Sequence, residues 1–589
     1  MIVKKSAPKK AGSRHSSASG VLSDIGELRR LYKTLMTNPI VRKALLFFVV
    51  PLFIYLVFFF IFNPHWFAGF SKGFFLDSGD GFQNVWNIWW VNKSITQLHQ
   101  NPYFTTFLHF PHGIPLITQT MNIFNGLVAI PLMGIGLSLV QATNVMVTFS
   151  FVVGGLTMFW LVYHLNRSYV VALFGGFLYT FSSYHFAHAL GHLQLVSLEW
   201  LPLFILLWWM LLERWTYKLA VAAALSLFLV ILCDYYYFFY CVTIAAIIFF
   251  YFLFTKKFSL KQARILKVLA AFVVTCLLTS GPIVYALLMS NPKSDPLLGA
   301  HPADIFGLDA LSPFIPGGQW YFSNLTAWHW ANLPGYKAET SVYLGLVIIV
   351  GVIVAFFKKT RAKLKLIMPS WINVWWIVFI VFSVLSLGRH PRAFGADLQS
   401  VPLPYLLLEK VFPPLQISGV PVRMMIVVLI AGIIITSFVL KKINLKTTKG
   451  RLIFVGLVLI TTVEMYPMPL PLTLPDEPAY VSVLKNLPIK AGSGIIDNAA
   501  TTPSWALFGQ TQHQIPMAFG YTTRTPTSVS DKDFHIFAAI EQNRHGELCS
   551  LYHIRYMASR VLYNDGFPII YRDDKTPIYI YDLKNGDGC

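Results

Sequence analysis

Charge is the scarcest component of this chain. Only 12% of its 589 residues are Asp, Glu, Lys or Arg, about half the fraction usual in a soluble domain. With 55% hydrophobic residues and apolar runs near the ~20 residues that cross a bilayer, a water-soluble fold is excluded and a polytopic membrane protein is expected. Acids are scarcer than bases, 26 against 46, for a net charge of +20. That excess does not indicate nucleic acid, because the bases sit in short clusters between apolar runs, as the positive-inside rule expects. Cysteine is also sparse: Cys233, Cys241, Cys276, Cys549 and Cys589, the first three within apolar runs. No CxxC or metal-like spacing occurs, so neither a disulfide framework nor a structural metal site is expected. No P-loop, Rossmann fingerprint, HExxH or GxSxG stands where it could act, and the chain carries no ATPase signature.

Apolar runs place eleven spans at about 44–62, 142–163, 169–184, 193–212, 217–233, 237–255, 266–288, 340–357, 371–387, 422–440 and 452–466. Basic clusters precede the first span (Lys4 to Lys43) and fill the gaps after the sixth (Lys256 to Lys267), eighth (Lys358 to Lys365) and tenth (Lys441 to Arg451). With the N-terminus inside, all four are cytoplasmic. The apolar segment Met121 to Leu139 is broken by Gly126, Pro131, Gly134 and Gly136. Were it to cross, every later basic loop would move outside, so a re-entrant or interfacial hairpin is expected. The polar stretch up to about Asn38 reads as a disordered cytoplasmic tail rather than a cleavable signal, since its basic region is long and no small-residue cleavage site follows the apolar run.

The resulting organisation is a basic tail (1–43), a transmembrane domain (44–466) with outer loops 63–141, 290–339 and 388–421, and an extracytoplasmic α/β domain (467–589). The last opens with a proline-rich linker, Tyr466 to Pro471, and contains β-like runs at Gly494–Asp497, Ile554–Met557 and Thr576–Tyr581.

Within the first outer loop the sequence reads Leu76-Asp77-Ser78-Gly79-Asp80-Gly81, then Val85-Trp86-Asn87-Ile88-Trp89-Trp90. Two carboxylates on a glycine-rich turn can take a proton from an attacking hydroxyl, or hold a divalent cation with a phosphate. Their bland role is an Asx-turn or helix cap, with Asp80 starting a helix over 81–99. The tryptophan-rich stretch suits the headgroup layer.

Three histidines, His185, His188 and His192, crowd the turn that leads to Gln194. They could contact a phosphate, relay a proton or hold a metal, or simply form an interfacial polar cap. With no carboxylate inside the turn, phosphate or hydroxyl contact is the stronger expectation. Asp234, before Tyr235, Tyr236 and Tyr237, is an intramembrane acid and a functional candidate; the tyrosines could stack on a sugar or form an aromatic belt. Arg389, His390, Arg392 and Arg423 lie on the outer side, which should lack positive charge, and call for an anionic partner such as a phosphate or pyrophosphate headgroup. His513 to Arg524 could recognise an acceptor or be an ordinary turn.

The ordered set Asp80-Gly81 with Trp86 and Trp89, His192-Leu193-Gln194 with Ser197, Trp200 and Pro202, Tyr236-Tyr237, Ser386-Leu387-Gly388, Pro421 with Arg423, and Gly520-Tyr521 with Arg524 resembles the GT-C superfamily of membrane glycosyltransferases. It is most similar to a widespread, uncharacterised bacterial group. The resemblance covers nearly the whole chain. It implies a GT-C-like helical bundle, all-α in the membrane, that moves a hexosyl or pentosyl group with inversion. The donor is a polyprenyl-phosphate sugar and the acceptor a glycan, lipid or protein at the outer face of a bacterial cytoplasmic membrane. Asp77 or Asp80 maps onto the superfamily's first-loop acid; a strict Asp-x-Asp is absent, which leaves Mg2+ or Mn2+ at that pair open. Arg389, Arg392 and Arg423 would stabilise the leaving phosphate; His188, His192, Gln194, Asp234 and Tyr236 would contact phosphate or sugar. A transporter or flippase of a lipid-linked or anionic substrate, and a non-catalytic cell-envelope assembly protein, are the alternatives.

Overall fold

A computed structural model describes residues 38–299, 301–412, 414–417, 419–573, 575–584 and 589. The tail expected up to Asn38 lies outside the described residues but for Asn38 itself. The first compact unit, up to Ile54, contributes the start of an apolar helix that runs from Pro39 to Phe62. Everything else belongs to the second unit, Tyr55–Cys589.

Six helices are long and apolar enough to cross a membrane: Pro39–Phe62, Leu139–Asn166, Tyr169–His188, Leu193–Arg214, Tyr235–Phe254 and Pro421–Leu440. A seventh is the pair Ala263–Thr279 and Gly281–Met289, bent by 54°. This is a mostly helical membrane protein. The other four expected segments are also helical but shorter: Tyr217–Cys233, Leu346–Phe356, Ile372–Ser386 and Thr448–Glu464. At 1.5 Å per residue they rise about 16–26 Å, less than the ~30 Å hydrocarbon core. Hydropathy marks an apolar run but not the point where its helix stops. The segment expected as a hairpin is instead a single helix, Ile123–Gly134, capped by the Asn122 side chain. Pro131 sits inside that helix, and the chain turns only after Gly134.

The first-loop helix, Asp80–Thr96, is buried along almost its entire length. Trp86 and Trp90 are four residues apart and stack at 5.6 Å; Trp86 Nε1 donates to Gln510 Oε1 at 2.7 Å. These tryptophans therefore do not lie in a headgroup layer. They are core, because a second layer of protein covers the face that would meet lipid.

That layer is the segment from Ala479 onward. A mixed sheet runs in the order Gly494–Asn498, Ile554–Ser559, Ile578–Asp582, Ile569–Asp573. The first pair is parallel and the others antiparallel. Three of these strands match the expected β-like runs. Helices Ala479–Asn486, Pro503–His513, Thr527–Glu541 and His545–Tyr552 accompany them. Ile495, Leu507 and Tyr556 share one hydrophobic cluster with Trp86, Trp90 and Leu108 of the first loop. Cys549 and Cys589 form a disulfide, which corrects the expectation of none: one bridge across 40 residues has no spacing signature that a sequence displays.

Replacing Trp86 with Ala should cost about 3–5 kcal/mol, because it opens a cavity and leaves the Gln510 amide without its donor. The unfolding temperature of the detergent-solubilised protein, with Trp89→Phe as a milder control, measures it.

Candidate functional site

Two turns meet back to back. Asp77 does not face open space: its Oδ1 accepts from the backbone N–H of Gly79 and Gly81 at 2.8 and 3.1 Å, shaping the start of the first-loop helix. The Asp77 N–H donates to the Leu190 carbonyl at 2.6 Å, and Asn84 Nδ2 donates to the Gly191 carbonyl at 2.7 Å. The acidic turn and the histidine turn are thereby tied together. The approach needs glycine at 191, since a Cβ there would lie 2.6 Å from Asp77 Oδ2 and 3.0 Å from the Gly81 nitrogen.

This contact aims Asp80. Its Oδ2 lies 3.0 Å from His192 Nε2, and its Oδ1 accepts from the Tyr521 hydroxyl at 2.9 Å. Burial alone would raise the Asp80 carboxyl, but the hydrogen bonds from His192 and Tyr521 outweigh it and hold it below the usual carboxylate range. Asp77, by contrast, is pushed up by burial. Burial also raises Tyr521, helped by the Asp80 charge, so the phenol keeps its proton and donates.

Asp80 and His192 look into a cavity of about 900 Å³. Its lining includes the apolar Ile231, Leu232, Phe238, Phe239, Val284 and Leu287 and the polar Gln83, Asn122, Gln194, Asp234, Tyr236, His301, Arg423 and Arg524. Arg423 is buried and bonded to Glu339 Oε1 at 2.5 and 2.9 Å, and its guanidinium sits 5.2 Å from the Tyr236 ring centroid. Arg524 donates to the Thr118 carbonyl at 3.0 Å and approaches His301 Nδ1 at 3.5 Å. Burial, with the Arg524 and Arg423 charges, pushes His301 down to about 4, so it stays neutral and accepts. Gln119 pins the Tyr521–Arg524 loop, accepting from the Thr523 N–H at 2.8 Å and donating to the Arg524 carbonyl.

The structure thus brings together Asp80, His192, Gln194, Asp234, Tyr236 and Arg423 from the expected set. Asp234 also caps the helix that follows, accepting from the Tyr237 N–H. His188 lies behind His192, fully buried. His185 turns away and stacks on Phe151 at 3.7 Å. Arg389 and Arg392 do not reach the cavity. Arg389 is bound by Glu409 and Asp304 at 2.9 and 2.8 Å. Arg392 pairs with Asp397 at 2.7 Å and donates to the carbonyls of Asp304, Ile305 and Gly307. Both cations are neutralised by carboxylates of neighbouring segments. Glu339, Tyr521, Arg524 and His301 were not among the expected site residues; only Tyr521 and Arg524 had a signal, in the loop flagged for acceptor recognition.

Three of the four carboxylate oxygens of Asp77 and Asp80 accept hydrogen bonds, which leaves Asp77 Oδ2 as the one without such a partner among the described residues. Among the described residues, the His, Cys, Asp and Glu atoms that converge are those of His188, His192 and Glu339, within 4.8 Å of one another.

Residues 51–465 match the model of one family, described as a domain of unknown function, DUF6311. The chain belongs to the DUF6311 family. No curated protein matches it. Among solved structures the DUF6311 chain is similar to the mycobacterial arabinofuranosyltransferase AftD, at 11% identity and a TM-score of 0.54. The match covers 92% of this chain and 42% of that one, so the DUF6311 chain spans about two fifths of AftD. An oligosaccharyltransferase from Archaeoglobus fulgidus overlaps it more loosely (13% identity, TM-score 0.45, 86% of this chain and 67% of that one). So does ArnT from Cupriavidus metallidurans (10% identity, TM-score 0.38, 90% and 97%). The fold is that of the GT-C glycosyltransferases.

Gly191→Ala should push the two turns apart and destabilise the protein by about 1–3 kcal/mol, the range for overpacking. Thermal unfolding reads the loss; an unchanged midpoint would contradict the close approach.

Proposed function

We propose that this DUF6311 protein transfers a sugar from a polyprenyl-phosphate donor to an acceptor hydroxyl at the outer face of the cytoplasmic membrane. One observation carries the reading. A carboxylate held in its ionised form and two buried arginines line the same cavity as a set of apolar side chains. An isoprenoid chain suits the apolar side chains, and a phosphate suits Arg423 and Arg524.

The chemistry is a single displacement. Asp80 takes the proton from the acceptor hydroxyl, whose oxygen attacks the anomeric carbon as the bond to the phosphate oxygen breaks. The electron pair leaves with the phosphate, where Arg423 and Arg524 offset the growing charge. Inversion at the anomeric carbon follows. His192 and Tyr521 orient Asp80, and Asp77 holds the turn rather than acting as a second base. Asp234, Gln194 and Tyr236 face the sugar or phosphate, and the Tyr521–Arg524 loop presents the acceptor. No step runs through a metal at Asp77 and Asp80.

The topology that goes with this reading embeds all eleven segments, short ones included, with the N-terminal side cytoplasmic and the cavity's charged residues outside. The Cys549–Cys589 bridge supports that placement, since such bonds persist in oxidising compartments. The bent pair Ala263–Met289 also suits a transporter of the same lipid, and one assay separates the two. Incubated with labelled polyprenyl-phosphate sugars, the purified enzyme should release polyprenyl phosphate, whereas a flippase would change the donor's sidedness without cleavage. Asp80→Asn should lower release by about 10²–10⁴-fold while leaving the fold intact. A variant with full activity would refute the assignment. Arg524→Gln should slow transfer as well, whereas Arg389→Gln should act only through stability.

A further inference from the structure

His188 Nε2 and Glu339 Oε2, beside the cavity, are among the buried atoms with no hydrogen-bond partner among the described residues. They face each other at 3.9 Å, with side-chain exposures of 0% and 4%. The surrounding hydrogen bonds fix where the protons are. Asp80 Oδ1 already accepts from Tyr521, and its Oδ2 faces His192 Nε2 at 3.0 Å as the acceptor of that ring's N–H. His192 Nδ1 then carries a lone pair 3.2 Å from His188 Nδ1, whose N–H donates to it and leaves the His188 lone pair on Nε2. Glu339 Oε1 is occupied by Arg423, which leaves the Oε2 lone pair free. Lone pairs of His188 and Glu339 thus face each other in a buried gap, with a nitrogen of His192 within 4.8 Å, and burying them unpaired is unfavourable; a cation there would take the His192 lone pair in place of the bond from His188.

We infer that His188, His192 and Glu339 hold one divalent ion of the zinc class. Two nitrogens and one carboxylate oxygen form a common zinc donor set, and imidazole favours zinc over magnesium. The supporting contacts of such a site are in place. A metal-bound histidine hands its other ring N–H to a carboxylate, and a metal-bound carboxylate is itself hydrogen-bonded. His192 to Asp80 at 3.0 Å is the first of these, and Glu339 to Arg423 at 2.5 Å the second. Charge fits as well: a divalent ion and Arg423 against Glu339 and Asp80 leave one net positive charge beside a cavity built for an anion. The ion sits behind His192, because His192 and Asp80 line the cavity while His188 and Glu339 do not. It would fix the His192 tautomer and so the hydrogen bond that orients Asp80, a positioning role. The inference concerns the ion alone and stands whether or not the chain transfers a sugar.

The test uses full-length protein in detergent, stripped with a chelator, loaded with Zn2+ or Co2+, desalted and analysed for metal. Wild type should retain about one ion per chain, undisplaced by excess Mg2+. The Co2+ form should absorb in the visible, and Zn2+ should raise the unfolding temperature. His188→Gln and Glu339→Gln should each lose the ion, and Arg389→Gln should keep it. Asp80→Asn should keep it with about 10–100-fold weaker affinity. Folded wild type that holds no ion at saturating Zn2+ overturns the inference and assigns the gap to a proton on His188. Folded variants that keep the full ion overturn it too. If the two variants do not fold, the wild-type stoichiometry and Co2+ spectrum decide.

Discussion

The backbone hydrogen bond from Asp77 to Leu190, with the Asn84 amide on the Gly191 carbonyl beside it, is the joint from which the rest takes its position. It presses the start of the first-loop helix onto the histidine turn so closely that residue 191 has no room for a side chain. From that contact Asp80 gains His192 as a neighbour, and His192 in turn abuts His188 and the Glu339–Arg423 pair. Four elements distant in sequence thus meet around one row of ionisable groups. The same helix then carries Trp86 and Trp90 away from the row into the core shared with the sheet. Loosening the joint would disturb the aim of the carboxylate and the seating of the helix together.

What a sequence displays is charge, spacing and apolarity; what it hides is who stands opposite. Asp80 and His192 were legible because acids are rare here and histidines are crowded into one turn. The same logic misplaced Arg389 and Arg392. Each is a cation where cations should be rare, but Asp397 stands five residues beyond Arg392 and Glu409 twenty beyond Arg389, and such local pairing leaves no surplus for a ligand. Glu339 had no signal at all: a lone acid before an apolar run looks like a loop residue until Arg423 is seen beside it. The tryptophans were misread because their covering partner, Gln510, is 424 positions away. The eleven expected apolar spans all fall on helices, whereas the helix Ile123–Gly134 was expected as a hairpin. Helix lengths were not legible, since hydropathy passes through breaks that local hydrogen bonding makes.

The cavity combines two environments that rarely adjoin. Its polar lining is crowded with neutralised or hydrogen-bonded charge, while its apolar lining includes Val284 and Leu287 from the short limb beyond the 54° bend. Leu288 on that limb also lines the cavity and is still half exposed on its own account. The helical limb beyond the bend thus supplies apolar lining to a cavity that also holds buried charge.

The bond from Trp86 to Gln510 has a further consequence, in time rather than space. A ribosome adding ~5–20 residues per second makes the two partners roughly 20–85 seconds apart, since 424 residues separate them. For that interval a helix with three tryptophans on it has Phe107 and its neighbours to pack on but lacks the late segment that completes its cover. The nascent protein must park that surface, against its own early helices, the lipid or a holdase, and release it when the late sheet arrives.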